Sequence, residues 1–415
     1  MKQKHSLLLA ITALIITTTS CKKDSKTPDQ GKDLILTARE QQKVEADNAF
    51  TFKLFKETLS KPLEGKNLML SPLSVSMALG MTSNGSSGST LEAIRNTMEF
   101  KDFTEAEVNS YYHKITTELP QLDPKATLEI ANSIWYKNDF TPLPAFLKVN
   151  ADNYNAAVEG LNFSSPTAKD KINSWVNNRT HGKIPSIIDE IRNDIVMYLI
   201  NAVYFKSDWK YKFDKSKTAK SDFNLDANNK VQTDFMIAKA TVNYSKSEGV
   251  GVYELPYGNE KYSMVIVLPD AASTSISEFA TSITPAKWKG WMAGLQKTEM
   301  EIKMPKFKFS YDIRLNEQLE NLGMQVAFGK NGIADFTRIN AAGNLQIDEV
   351  KHKTFIEVNE NGTEAAAVTS VSITFTSVAQ PFSVLINRPF VYAIREMKTG
   401  LILFTGIVNN PLLDK

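Results

Sequence analysis

The chain has 415 residues, 42% of them hydrophobic, with 48 Lys and Arg against 46 Asp and Glu, four His and a single Cys. A near-balanced charge excludes a polyanion-binding surface built on bulk charge, and one cysteine excludes an internal disulfide. The length exceeds an ordinary domain, yet no internal linker or repeat divides it.

Residues 1–20 open with Lys2 and Lys4, continue through an apolar core from Leu7 to Ile16, and end in the small residues Thr17 to Ser20. The apolar run is too short to span a bilayer and reads as a signal peptide. Cys21 follows at once, an arrangement that resembles the acylation site of bacterial lipoproteins. That resemblance implies a lipid on Cys21 and an exported protein on the cell envelope, at the outer membrane or cell surface, with plain secretion as the alternative. Removing residues 1–20 takes two basic and no acidic residues, leaving 46 of each. No nucleic-acid partner is indicated. Residues 21–37 read as lipid attachment and tether, since Lys22 to Asp33 is polar and charged throughout. The body is residues 38–415.

Ala38 to Leu59 reads as a helix with Phe52, Phe55 and Leu59 on one face. Ser71 is an N-cap with Pro72 at the first helical position, opening a buried helix in which the Ser74 hydroxyl needs a backbone carbonyl. Capping-box spacing at Ser89…Glu92 and Thr104…Glu107 predicts two further helix starts. Thr127 to Tyr136 alternates as a strand, and helices are expected around Pro142–Ala151 and Pro166–His181. Ile195 to Phe205 is almost continuously apolar, as in a strand covered on both faces. Asn201 interrupts it, and a buried amide left unsatisfied costs about 1–3 kcal/mol.

Val231 to Pro269 reads as hairpins turning at Ser247–Gly249 and Tyr257–Glu260. Ser275 to Leu295 is expected to be helical and Glu299 to Phe309 a strand. Leu315, Leu319 and Leu322 form a helical stripe closed by Gly323. Leu345 to Val358 is expected as a strand, and its His352 reads as a satisfied structural residue.

From Glu360 to Pro381 the chain changes character. After Glu364 no charge appears until Arg388. One alternating row holds Thr363, Ala365, Ala367, Thr369, Val371, Ile373 and Phe375; the other stays small or hydroxylic. That is the pattern of a strand with one buried face, yet Asn361-Gly362 and Pro381 bracket it as a loop. An uncharged, β-prone loop invites pairing between molecules, so a chain that keeps one has a use for it.

Glu360-Asn361-Gly362-Thr363-Glu364-Ala365-Ala366-Ala367 resembles the reactive-loop hinge of serpins. Asn201 to Trp209, Asn387-Arg388-Pro389-Phe390 and Gly400 to Gly406 resemble further signatures of that family. The resemblance runs from about residue 38 to the end. It implies an α+β fold with three β-sheets, surrounding helices and an exposed reactive-centre loop over about 360–381. It implies a shutter-like polar cluster of Ser71, Ser74, Asn201 and His352, with His352 partnering Ser74 and Asn201, and Trp209 where the loop enters the sheet. It implies a monomer that traps a target protease covalently as an acyl-enzyme while the cut loop inserts into the main sheet. Registered from the hinge, the reactive bond falls at Thr376-Ser377; counting back from the distal anchor shifts it toward Val378, and Phe375 is the other alternate. No Lys or Arg lies between Glu364 and Arg388, so elastase-, subtilisin- or chymotrypsin-like targets are expected, with papain-like cysteine proteases as a further class. A non-inhibitory member acting as a binding or structural protein is the alternative. The small inward row at Thr363, Ala365, Ala367 and Thr369 argues for insertion.

An exported hydrolase would need a nucleophile and a base. After residue 20 only His113, His181 and His352 remain, and Gly85-Ser86-Ser87-Gly88 lacks the spacing of a nucleophile elbow. No Cys or His pair has metal-ligand spacing, so neither metal nor cofactor is expected.

Overall fold

Side-chain caps open three of the helices in the N-terminal half, and a computed structural model describes residues 31–270, 275–363 and 382–413. Helix α1 (Ala38–Thr58) opens on a capping box between Thr37 and Glu40. Strand β1 (Leu68–Leu70) leads into α2 (Pro72–Ser83), capped by Ser71 with Pro72 first, as expected. Helix α3 (Gly88–Thr97) starts earlier than the Ser89…Glu92 spacing predicts: Ser87 is the extended N-cap and makes no side-chain cap bond. Helix α4 (Glu105–Glu118) carries the predicted Thr104–Glu107 box.

Strand β2 (Ala126–Lys137), α5 (Pro144–Tyr154), β3 (Ala157–Leu161), α6 (Ala168–Arg179) and β4 (Met197–Asp208) follow. Next come β5 (Ala219–Asn224), β6 (Lys230–Ser247), β7 (Val250–Pro256) and β8 (Tyr262–Pro269), turning where expected. Residues 275–295 form two helices rather than one, α7 (Ile276–Thr281) and α8 (Pro285–Ala293). The Thr284 hydroxyl caps the second, and Pro285 suits only a first turn. The strand expected over 299–309 splits at Pro305–Lys306 into β9 (Gln296–Pro305) and β10 (Phe307–Arg314), which lie in different sheets. The stripe after Leu315 is a single turn, α9 (Asn316–Leu319), then a wider turn ended by Gly323 at φ +118°. Only β11 (Lys351–Val358) of the 345–358 stretch is strand. Val350 N–H donates to Asn316 Oδ1 at 2.9 Å and Ile347 N–H to Ala327 O at 2.8 Å, so neither donor enters a ladder. The rest are β12 (Gly362–Thr363), β13 (Ser383–Leu385), β14 (Phe390–Glu396) and β15 (Ile402–Val408).

Among the described residues the strands form two hydrogen-bonded sheets. One runs β10-β11-β12-β4-β2-β3. The other runs β1-β15-β14-β8-β7-β6-β9-β13, with β5 also on β6. Two of the three sheets implied by the family resemblance are joined here because β6 pairs with β5 and β9 along most of its length and with β7 at its end.

The main core lies under the first sheet, where Leu128, Val203, Phe205, Ile356 and Val358 meet the second sheet and helices α1 and α2. A smaller core covers the opposite face: Trp135, Ile200 and Ala202 pack against Ile172 and Val176 of α6 and against Ile184, Ile187 and Ile188. Apolar cover on both faces explains the almost continuous hydrophobic run into β4.

Candidate functional site

Strand β11 ends at Val358, turns through Asn359–Asn361 and returns as β12. Asn359 N–H donates to Gly362 O at 3.0 Å, and Thr363 pairs with Val358. On the other side Gly362 pairs with Asp208 and Thr363 with Ser207. Among the described residues β12 alone joins β4 to β11, which share no ladder with each other. The contact requires glycine: a Cβ on Gly362 would lie 2.0 Å from Ser207 O.

This corrects the expectation of an exposed loop from residue 360. Glu360 is 4% exposed, Asn361 7% and Thr363 3%, so the start of the hinge is part of the sheet. Trp209, expected where the loop enters, packs against the turn into β12: its N–H donates to Asn361 O at 2.7 Å and its Nε1–H to Asn359 O at 3.0 Å. Its ring stacks on Tyr257 at 4.4 Å and 10°. Thr363 points inward, its Oγ1 2.5 Å from the Tyr257 hydroxyl. Burial pushes that phenol's pKa up, so it stays a protonated hydrogen-bonding group.

Glu360 is held from three sides. Its carbonyl accepts from Phe213 N–H at 2.9 Å. Its carboxylate accepts from the Thr218 hydroxyl at 2.8 Å and lies 3.1 Å from Lys306 Nζ. Burial pulls the pKa of this carboxyl upward, but a backbone hydrogen bond, the Thr218 hydroxyl and the Lys306 charge outweigh it and hold it below the usual range.

The polar cluster lies beneath the seam between β4 and β11. His352 Nε2 accepts from Ser71 N–H at 2.9 Å, not from the side chains of Ser74 or Asn201 as expected. The Ser71 hydroxyl donates to Leu403 O at 2.9 Å. The Ser74 hydroxyl reaches a backbone carbonyl, that of Asn201, at 3.4 Å. Asn201 Nδ2 donates to Asn132 Oδ1 at 2.7 Å, while Asn201 Oδ1 is buried with no partner among the described residues. A buried imidazole that accepts at Nε2 is neutral, with its proton on Nδ1. Burial pushes its pKa down to about 4.

Tyr257, Thr218, Lys306 and Asn132 belong to this site and were missed from sequence. Tyr257 was legible only as a turn residue, and no local pattern marks the others. Glu364, Ala365, Ala366, Ala367, the bond at Thr376-Ser377, its alternates Phe375 and Val378, and Cys21 lie outside the described residues.

The family model described as Serpin (serine protease inhibitor) matches residues 45–411. The leukocyte elastase inhibitor of Homo sapiens is 32% identical over 377 residues, covering 88% of this chain and 98% of its own. The native-state crystal structure of the thermophilic serpin tengpin is similar at 36% identity and TM-score 0.81, covering 91% of this chain and 96% of its own. Human thyroxine-binding globulin, solved in complex with its ligand, is similar at 30% identity and TM-score 0.81, covering 90% and 100%.

Proposed function

This chain belongs to the serpin family, and from that premise we propose that it inhibits a protease by suicide trapping. The carrying observation is β12, a hinge segment already seated between β4 and β11 with Thr363 inward. The protease attacks the loop as a substrate, and its nucleophile forms an ester or thioester at the reactive bond as the new amine leaves. The freed loop then extends β12, and the displaced protease cannot complete deacylation.

The register of β12 defines what such an extension meets. Thr363 faces Ser207 and Val358, so continuing the antiparallel pairing brings Ala365 to Phe205 and Ile356, and Ala367 to Val203 and Thr354. Thr369 arrives between Asn201 and His352, where its hydroxyl is suited to Asn201 Oδ1, which has no partner among the described residues. Roughly a dozen new backbone bonds at about 1 kcal/mol each contribute on the order of 10 kcal/mol. Burying Val371, Ile373 and Phe375 adds about 1.5–3 kcal/mol apiece.

Elastase-, subtilisin- or chymotrypsin-like enzymes, and papain-like cysteine proteases, are the targets that an uncharged loop suits, with cleavage at Thr376-Ser377. The protein acts as a monomer held to the cell envelope through a lipid on Cys21. The test is incubation with a panel of these proteases and trypsin. Denaturation-resistant complexes are expected with the former, releasing a peptide that starts at Ser377 or within about two residues of it. Clean cleavage by every protease without a complex would favour a non-inhibitory binding role. A stable complex with trypsin alone would overturn the target assignment.

A further inference from the structure

The connection from α6 to β4, residues 180–196, touches both banks of the β4–β11 seam. On the β2–β4 bank, His181 Nε2 lies 2.7 Å from Glu129 Oε1 and its ring 4.5 Å from that of Tyr204. The Tyr198 hydroxyl donates to Glu190 O at 3.4 Å. On the β11 bank, Lys183 Nζ lies 3.9 Å from Glu357 Oε2 and 4.9 Å from the Phe355 ring. Asp189 pairs with Lys351, and Arg192 Nη2 lies 2.6 Å from Asp348 Oδ1. Arg192 also pairs with Asp194 within the connection. Asn173 of α6 fixes the middle: its Oδ1 accepts from Ile187 and Ile188 N–H at 2.9 Å each, and its Nδ2 donates to Ile188 O at 2.8 Å.

Lys351, Phe355 and Glu357 lie on the face of β11 opposite His352, Thr354 and Ile356, which face the core. The contacts therefore reach the outer face of the sheet, from Asp348 before β11 to Glu357 near its end. They exist in an arrangement where β12 stands between the two strands, which sets β4 and β11 two strand spacings apart at that point, about 9.6 Å. Drawing the strands together would shift β11 by one spacing, about 4.8 Å, relative to a connection anchored on β2 and β4. Charge contacts of this length do not survive such a shift unchanged.

We infer that Lys183, Asp189 and Arg192 are positioning residues: ionic struts on the outer face that hold β11 at the spacing which accepts an added strand. The struts bias the sheet toward strand uptake before any protease arrives. Each pair is partly exposed, so each contributes modestly and is screened by salt, but the three act together on one strand. The kinetic consequence rests on the inhibitory reading above; the strut geometry does not.

The test uses the full chain carrying Cys21→Ser, with spin labels on Asn138→Cys and Ser310→Cys, which lie on opposite banks of the seam. The comparison is with the same chain also carrying Lys183→Gln, Asp189→Asn and Arg192→Gln. Neutralising the struts should let β12 leave the gap and the strands draw together, shortening the label distance by up to one strand spacing, about 4.8 Å. High salt should move the parent chain the same way and the neutralised chain little. The neutralised chain should also lose trapping efficiency, with about tenfold more protease turnover per complex formed. Equal label distances in both chains at low salt would overturn the inference, whatever the protease assays give. A shortened distance with no complex in either chain would sustain the struts and count against the inhibitory reading instead.

Discussion

Lowering the pH from 7 to 5 should loosen the seam through a single residue, His352. Its Nε2 accepts from Ser71 N–H, the cap of α2, and a protonated ring cannot accept. Protonation would leave that N–H without a partner and place a cation at the positive end of a helix. The ring's pKa lies at about 4 in the fold against 6.5 when unfolded. The folded state thus binds this proton more weakly. The stabilisation is fully present above pH 6.5 and is lost progressively as the pH falls through the window to 4. The whole gap of about 2.5 pKa units is worth about 3 kcal/mol, and about 2 kcal/mol of it is gone by pH 5. Since β11 is tied to β1 and α2 by this bond and by the Thr354 hydroxyl to Met69 O, the loss should ease β11 away from its support. The assay is the rate of self-association on mild heating, followed by light scattering at fixed ionic strength. Wild type should associate at least tenfold faster at pH 5 than at pH 7. His352→Gln keeps an acceptor without a titrating proton and should lose most of that dependence, whereas His352→Ala should associate readily at both. An equal pH response in wild type and His352→Gln would refute the reasoning.

Three further outcomes are expected. Thr363→Arg would bury an unpaired charge where Thr363 now meets Tyr257, so β12 should unseat; gel electrophoresis should show cleaved protein in place of complex, and undiminished complex formation would sink the insertion mechanism. Glu360→Lys removes the acceptor of Thr218 and sets two cations together beside Lys306, costing about 2 kcal/mol and promoting heat-induced polymers on native gels; Glu360→Lys with Lys306→Glu should recover much of the loss. Cys21→Ala should move the protein from the membrane fraction to the soluble one, and its retention in membranes would argue against a lipid at that position.

The sequence carried the fold where a local rule acts alone. The Thr104–Glu107 box, Ser71-Pro72 and the turn at Ser247–Gly249 depend on a few adjacent residues, and they form as read. Predictions missed where a long apolar or helical run hid an internal stop. Thr284-Pro285 and Pro305-Lys306 are such stops, visible in the letters but outweighed by the periodicity around them. At the site, the hinge, Trp209 and the polar residues were legible through family resemblance. Their pairing was not, because whether His352 meets Ser71 or Asn201 depends on how a strand lies over a helix start. Glu360 was expected at the start of an exposed loop, since nothing nearby in sequence announces Thr218 or Lys306.

The short turn between β11 and β12 has a kinetic meaning. Val358, Asn359, Gly362 and Thr363 already form the closed end of a β-hairpin, so the entropic cost of bringing the two arms together has been met before cleavage. Growth from a closed turn is zippering, with each new pair beside the last. Hairpins form in about 1–10 μs, whereas hydrolytic turnover of an enzyme takes on the order of a millisecond to a second. On the trapping mechanism proposed above, a loop freed at its far end starts the race against deacylation with a margin of about a hundredfold or more. That margin is what friction from the dragged protease would have to consume before the bond is hydrolysed and the inhibitor becomes a mere substrate.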